Sequence, residues 1–346
     1  MYVIRPIQRQ DLDALIAIAE LSGPGFTSLP HHPGLLELKI AQSIDSFKQP
    51  VSRTKGEHYL FVLEDSEQQT VIGTSAITSS VGMADPWYHY RIGTVVHASR
   101  KLRVHNQFRT LYLCNDYTGH SEVCSLFLHP DYRRNKNGAL LSKSRFLFMA
   151  QYPERFAERV IAEMRGVSTA EGVSPFWEGL GRRFFSMDFS EADYLTGLGN
   201  KSFIAELMPK SSIYIHLLSE AAQQVIGEVH SNTRPARKML EDEGFRFDGY
   251  VDIFDAGPTL VTRLKDIHSI RHSETQSVQR VDRIQDNQEL LQPCLVANTQ
   301  RQQFRCLLET VPYRMGAPLL LSSEQADALL LQDGDLARLV PLAQPG

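Results

Sequence analysis

SEVCSLFLHPDYRRNKNGALLSKSRFLFM, residues 121–149, decides the reading of this chain. The apolar run 122–128 reads as a buried strand, stopped by Pro130. Arg133 and Arg134 open a basic Asn/Gly turn that ends at Gly138 and Ala139. From Gly138 to about Tyr152, apolar residues recur at helical spacing. Strand, turn and helix in that order aim a cluster of backbone N–H groups and two arginines at a helix N-terminus, where an anionic pyrophosphate sits. Asn137 stands where a glycine would ease a left-handed turn, and Asn tolerates that backbone better than most residues. The plainer alternative is a strand–turn–helix whose arginines face only water.

Working outward, Tyr2 to Arg5 reads as a first strand, and Asp11 starts a helix with Leu12, Leu15, Ile16 and Ala19 on one face and Gly23 beyond its end. A second helix covers 35–47. Strand-like runs 59–63 and 71–77 flank the polar DSEQQ turn, a hairpin signature. The aromatics, Gly93 and β-branched residues of 83–118 predict extended strands. A strand over 159–164 precedes SPFWEGLGRRFF, with Ser174 as N-cap, Pro175 at the first helical position and Gly181 near the C-cap. TRPARKMLEDEGFRF, residues 233–247, echoes that stretch, which suggests either two related lobes or two ordinary helix-to-strand turns. The polar stretch around 269–292 reads as a connector or an exposed helical excursion. Short strand-like runs and one helix then follow to the end.

Composition narrows the function classes. The 346 residues carry a net charge of −4 and no long basic tract, which argues against nucleic-acid binding. No apolar run approaches the ~18–20 residues of a membrane span. Arg5, Arg9, Asp11 and Asp13 break up any signal peptide. Cys114, Cys124, Cys294 and Cys306 lack CxxC spacing, and no HExxH pair appears, so a cytoplasmic location without disulfides, metal or a permanently bound cofactor is expected. The oligomeric state is left open, a homo-oligomer being compatible.

Three residue groups carry chemistry. His230 lies on a loop between Gly227 and Thr233, where an imidazole with an ordinary pKa of ~6.5 exchanges protons near neutrality. Its competitors are His31, His32, His89, His97, His105 and His129. Asp252 and Asp255 bracket Ile253 and Phe254; a guanidinium favours such carboxylates in a dry pocket, although for either one taken alone the solvent-facing side of an edge strand is the stronger explanation. Arg91 and Arg165 are candidates for a carboxylate partner.

The turn resembles that of the acyl-CoA N-acyltransferase (GNAT-like) superfamily, which shows Arg/Gln-x-x-Gly-x-Gly/Ala where this chain has Arg134-Asn-Lys-Asn137-Gly138-Ala139. DPWYHYRIGTVVHAS (85–99), SPFWEGLGRRFFSMDFSEAD (174–193), GNKSFIAELMPK (199–210), VIGEVH (225–230) and VDIFDAGPTL (251–260) extend the resemblance nearly end to end, to the arginine N-succinyltransferase family. It implies an α+β fold: a mixed, mostly antiparallel sheet flanked by helices, with a small C-terminal β-rich module. Expected boundaries are an acyltransferase core at 1–200, a second lobe completing the site at 201–272, a connector at 273–292 and a β-barrel-like module at 293–346. It also implies succinyl transfer from succinyl-CoA, a co-substrate, to L-arginine, with His230 as proton donor and Leu126 in contact with the donor. Leu128, Arg133, Arg134, Asn137, Gly138 and Ala139 complete the expected donor site. Asp252, Asp255 and Arg91 are the expected substrate-binding residues, Arg91 for the succinyl carboxylate. Succinyl transfer to ornithine or another amine, and a non-catalytic acyl-CoA-binding protein, are the alternatives.

Overall fold

The computed structural model describes residues 1–23, 28–50, 56–197, 202–282 and 291–342. In chain order its strands are β1 (Tyr2–Pro6), β2 (His58–Asp65), β3 (Thr70–Thr78), β4 (His89–Ser99), β5 (Val104–Cys114), β6 (Ser121–Leu128), β7 (Arg159–Glu163) and β8 (Ile213–Tyr214). They continue with β9 (Arg246–Val251), β10 (Pro258–Arg263), β11 (Glu274–Val281), β12 (Leu291–Asn298), β13 (Cys306–Pro312), β14 (Leu319–Ser322) and β15 (Leu336–Pro341). They hydrogen-bond side by side in the order β14-β11-β15-β12-β13-β1-β2-β3-β6-β7-β10-β9-β4-β5-β8. Most pairs are antiparallel; β6–β7 and β11–β14 are parallel. The α+β architecture expected from the sequence is therefore the one observed.

Helices cover both faces of the central strands, which is why β2 reads as an unbroken apolar run. Leu60 and Val62 pack under α1 (Leu12–Ser22) and α2 (Pro33–Lys48), against Leu15, Leu36 and Ile40. Tyr59, Phe61 and Leu63 point the other way, into a core shared with α3 (Asn137–Gln151). There the Phe148 ring lies 5.2 Å from Phe61 and 5.3 Å from Phe304, both edge-on. Such pairs contribute about 0.5–1.5 kcal/mol each beyond area burial. They fix α3 against both the hairpin and the C-terminal module, and so fix where its N-terminus points.

A second core lies under β4, β5 and β9. It is filled by α4 (Pro175–Gly179), α5 (Gly181–Phe185), α6 (Phe189–Gly197) and α7 (Ser202–Leu207), with α8 (Glu220–Val225) packed on α4. Ser174 caps α4 by accepting from the Trp177 N–H, as its position predicts. α4 ends with Leu180 as its C-cap, so Gly181 stands next to the C-cap as expected and is also the first residue of α5; a Cβ there would lie 2.2 Å from the Trp177 ring. α9 (Arg234–Asp242) and α10 (His268–Arg271) follow, α9 packing beside α3 and α10 on it.

The polar stretch expected to form a connector or helical excursion instead contains β11, paired antiparallel with β15. Gln276 and Val278 are its inward alternates, and the Gln276 amide is satisfied by Glu274 and the Arg314 carbonyl, so a buried glutamine hides the strand pattern. Residues 283–290 lie outside the described residues. β12–β15 and α11 (Ser323–Ala328) enclose a third core, joined to the main sheet where β13 pairs with β1. No described helix is long and apolar enough to cross a membrane.

Candidate functional site

β6 and β7 part company almost at once. They pair only at Ser121↔Val160 and Glu122↔Ile161, then diverge. On its other side β6 stays paired to β3, with an irregularity between Thr74 and Ala76. Ser125 sits at that irregularity with φ +51, a left-handed backbone unusual for serine. Thr74 fixes it by donating its hydroxyl to the Ser125 carbonyl at 2.9 Å. From Val123 onward, one edge of β6 thus faces a gap rather than a strand. A cavity of about 1020 Å³ occupies the gap, running from the basic turn past Leu126 and Leu128 to Glu163 and Asp252.

At one end of the cavity, Arg133 and Arg134 are exposed, and Arg133 donates to the Leu128 carbonyl at 3.2 Å. The left-handed residues are Asn135 (φ +52) and Lys136 (φ +59), not Asn137. Asn137 is buried at the first helical position, where its amide donates to the Tyr132 carbonyl at 3.2 Å, so it braces the turn from inside. Gly138 and Ala139 are half-buried and line the cavity; the nearest atom to a Cβ on Gly138 would be the Met239 methyl at 4.0 Å. The nest of N–H groups at the start of α3, two arginines and Lys136 together form a cationic end suited to a diphosphate.

His230 caps a short helical turn, Ser231–Thr233, just before α9. Its N–H donates to the Arg165 carbonyl at 2.9 Å, which ties the loop to the end of β7. Its Nδ1 accepts from the Asn232 N–H at 3.2 Å, an arrangement that puts the proton of the neutral ring on Nε2. Burial, then the Arg165 charge, holds the imidazole below its ordinary pKa. The ring is therefore neutral at physiological pH. Asn232 and Thr233 line the cavity; His230, two residues before Asn232 on the same loop, is not itself among the lining residues.

The far end is acidic. Asp255 is occupied by the fold: its carboxylate accepts from the Gly166 N–H at 2.6 Å and the Gly257 N–H at 2.8 Å. Burial and then the Asp252 charge push its carboxyl well up. Asp252, raised by burial and then by Glu163, accepts from the Phe254 and Asp255 N–H groups through one oxygen, Oδ1. Both line the cavity, Asp252 as an acceptor-site candidate and Asp255 as the brace that closes it. Arg91 is not brought to the site. It is turned outward from β4, 4.0 Å from Asp116, while its neighbour Tyr90 takes the inward position. Arg165 does line the cavity.

Two lining residues, Glu163 and Arg145, escape sequence reasoning. Glu163 faces the cavity with its Oε1 2.7 Å from Nε2 of the fully buried His89, whose ring packs edge-on against Tyr117 at 4.8 Å. Arg145 lines the cavity from the buried side of α3. Their common signal is a charge inside an apolar run, VIAEM and SRFLFM respectively. The site as a whole is a cationic mouth, a strand edge with unused backbone groups and an acidic end, with the neutral His230 imidazole on the adjoining loop.

Comparisons with known proteins agree with one another. The family described as arginine N-succinyltransferase beta subunit matches residues 2–269, and its C-terminal domain matches 279–341. The arginine N-succinyltransferase of Escherichia coli strain 55989 is 50% identical over 343 residues, covering 99% of this chain and 98% of that protein. That of strain K12/DH10B shows the same identity and coverage. The solved arginine/ornithine succinyltransferase subunit AI of Pseudomonas aeruginosa superposes with a TM-score of 0.91 at 40% identity, covering 99% of each chain.

Proposed function

This chain belongs to the arginine N-succinyltransferase family, and we propose on that premise that it moves a succinyl group from succinyl-CoA to the α-amino group of L-arginine. The products are N2-succinylarginine and CoA, and the step opens arginine catabolism by the succinyltransferase route. The observation that carries the reading is the single cavity joining a cationic turn to a carboxylate-lined end across the open edge of β6.

In this reading the CoA diphosphate sits on the N–H groups of residues 135–139, flanked by Arg133 and Arg134. The pantetheine arm runs along β6 and uses its free backbone groups as an added strand would. That brings the thioester beside Leu126. The acceptor enters from the other end, its guanidinium toward Asp252 and Glu163. Attack is direct. Cys124 lines the cavity, but burial pushes its thiol up to about 12, so it is no acyl-carrying nucleophile at neutral pH.

The acceptor ammonium gives up one proton, and its nitrogen attacks the thioester carbon. The C–N bond forms, and the oxyanion rests on N–H groups near Leu126. As the C–S bond breaks, His230 Nε2–H hydrogen-bonds the departing sulfur. The nitrogen then sheds a second proton. One of the two ends on the CoA thiol and the other is released. Help of this kind is worth roughly 10²–10⁴-fold. The small-molecule substrates and the location of the chain in the cytoplasm belong to the same proposal.

Ornithine is the second reading, favoured by the description of the solved relative as an arginine/ornithine succinyltransferase. Mass spectrometry of the product from succinyl-CoA with each amino acid tests both. One succinyl added to the α-nitrogen of arginine, with equimolar free thiol, is the expected result. Donor binding without thiol release overturns the reading.

A further inference from the structure

Arg145 is a cation in the core that makes no salt bridge, although the Glu122 carboxylate acts on its charge from further off. It is 1% exposed, and none of the described carboxylates lies within ion-pair distance of it. Its Nε donates to the Ser142 carbonyl at 2.9 Å, Nη2 to the Ser142 hydroxyl at 3.0 Å, and Nη1 to the Cys124 carbonyl at 3.3 Å. A guanidinium has five N–H groups, so two donors are left over. Burial lowers its pKa only to about 10, so the charge persists at neutral pH. An isolated buried charge is costly and is usually matched.

A second group nearby is short of a partner. The Ser125 hydroxyl is 3% exposed and lines the same cavity, with no hydrogen-bond acceptor beyond the weak one of the adjacent Cys124 thiol. Two guanidinium N–H groups and one hydroxyl thus stand without a strong acceptor beside Cys124 and Ser125.

We propose that Arg145 receives the terminal carboxylate of the acyl donor and so selects succinyl-CoA over thioesters of neutral acids. The proposal rests on succinyl-CoA as donor and on the thioester lying beside Leu126. Its reach fits. The carboxylate carbon of an extended succinyl group is about 4 Å beyond the thioester carbon, from standard bond lengths. Adding one hydrogen bond of ~2.9 Å gives about 7 Å. Leu126 and Cys124, two residues apart on a strand, are separated by about the same distance. The Arg145 guanidinium reaches the strand at Cys124. A carboxylate there is matched by the two unused N–H groups, and the Ser125 hydroxyl lies on the path.

The test measures kcat/KM for succinyl-CoA against butyryl-CoA, its near-isostere with a methyl in place of the carboxylate, in wild type, Arg145→Met and Arg145→Lys. Calorimetry of free CoA binding reports whether the turn and strand edge survive. The wild type is expected to prefer succinyl-CoA by on the order of 10²-fold or more. Arg145→Met should collapse that ratio toward one with CoA affinity unchanged, and Arg145→Lys should fall between. Equal losses on both donors, leaving the ratio untouched, overturn the proposal. If Arg145→Met does not fold, a wild-type ratio near one overturns it as well, and an intermediate ratio in Arg145→Lys supports it. A wild type that uses neither donor would instead bring down the functional reading on which this one rests.

Discussion

Gly257→Ala is a one-carbon change whose effect follows from three distances. A Cβ at Gly257 would lie 2.0 Å from the Met164 carbonyl oxygen, 2.6 Å from the Gly166 nitrogen and 3.0 Å from Asp255 Oδ1. Two of these are backbone atoms at the end of β7, which cannot swing aside as a side chain can. Ordinary contact requires a separation of more than 1 Å beyond the first distance, so the turn 252–257 must lift from β7. That movement strains the Asp255 bonds to the Gly166 and Gly257 N–H groups and the Asp252 N–H bond to the Gly257 carbonyl at 2.8 Å. Overpacking costs about 1–3 kcal/mol, and a weakened charged hydrogen bond adds roughly 1.5–3 kcal/mol. Thermal unfolding should fall by several degrees. Because Asp252 moves with the turn, a ~1 Å displacement should lower kcat/KM for arginine by on the order of 10²-fold. KM for succinyl-CoA, set at the opposite end, should change little. Gly34→Ala is the control: on the exposed first turn of α2 a Cβ would meet only the ring of the N-cap His32, at 3.4 Å, so it should be neutral or stabilising by up to ~1 kcal/mol. Gly257→Ala with wild-type melting and arginine kinetics would refute the steric argument.

Other consequences follow from the same geometry. His230→Ala should lower kcat by roughly 10²–10⁴-fold while leaving donor affinity near wild type in a binding titration; equal loss of both refutes the assigned role. Since burial and Arg165 lower the His230 pKa, the neutral, active ring persists to a more acidic pH than a free imidazole. The acid limb of the pH–kcat/KM profile should therefore lie below pH ~6.5, and Arg165→Gln should move it upward. Arg133→Ala with Arg134→Ala should raise KM for succinyl-CoA, and the remaining affinity should depend less on salt than that of the wild type; an unchanged KM removes the diphosphate from that turn.

The sequence made the frame legible because its signals are local. Pro130 stops β6, Ser174 and Pro175 start α4, and DSEQQ joins β2 to β3, each as turn chemistry dictates. What it hid are effects of neighbours distant in the chain. The Trp177 ring leaves room for only a glycine at 181, and a second helix, α5, begins at that residue directly after the expected stop. Asn137 gives up its expected left-handed backbone because its amide is needed by Tyr132. Gln276 is inward because Glu274 and Arg314 satisfy it, which masks β11. At the site, His230 and the basic turn are visible as residue types in a loop, whereas Asp255 reads like a ligand and acts as a brace. Arg145 and Glu163 gain meaning only once β6 and β7 are seen to separate.

The separation of β6 from β7, with a thioester in the gap, is the central claim. A crystal structure of the protein with CoA and N2-succinylarginine bound tests it most directly. The account predicts the diphosphate on the N–H groups of residues 135–139, the pantetheine amides bonded to the open edge of β6, and the sulfur within hydrogen-bond reach of His230 Nε2. A diphosphate bound elsewhere, or a sulfur remote from that imidazole with β6 unoccupied, would contradict it.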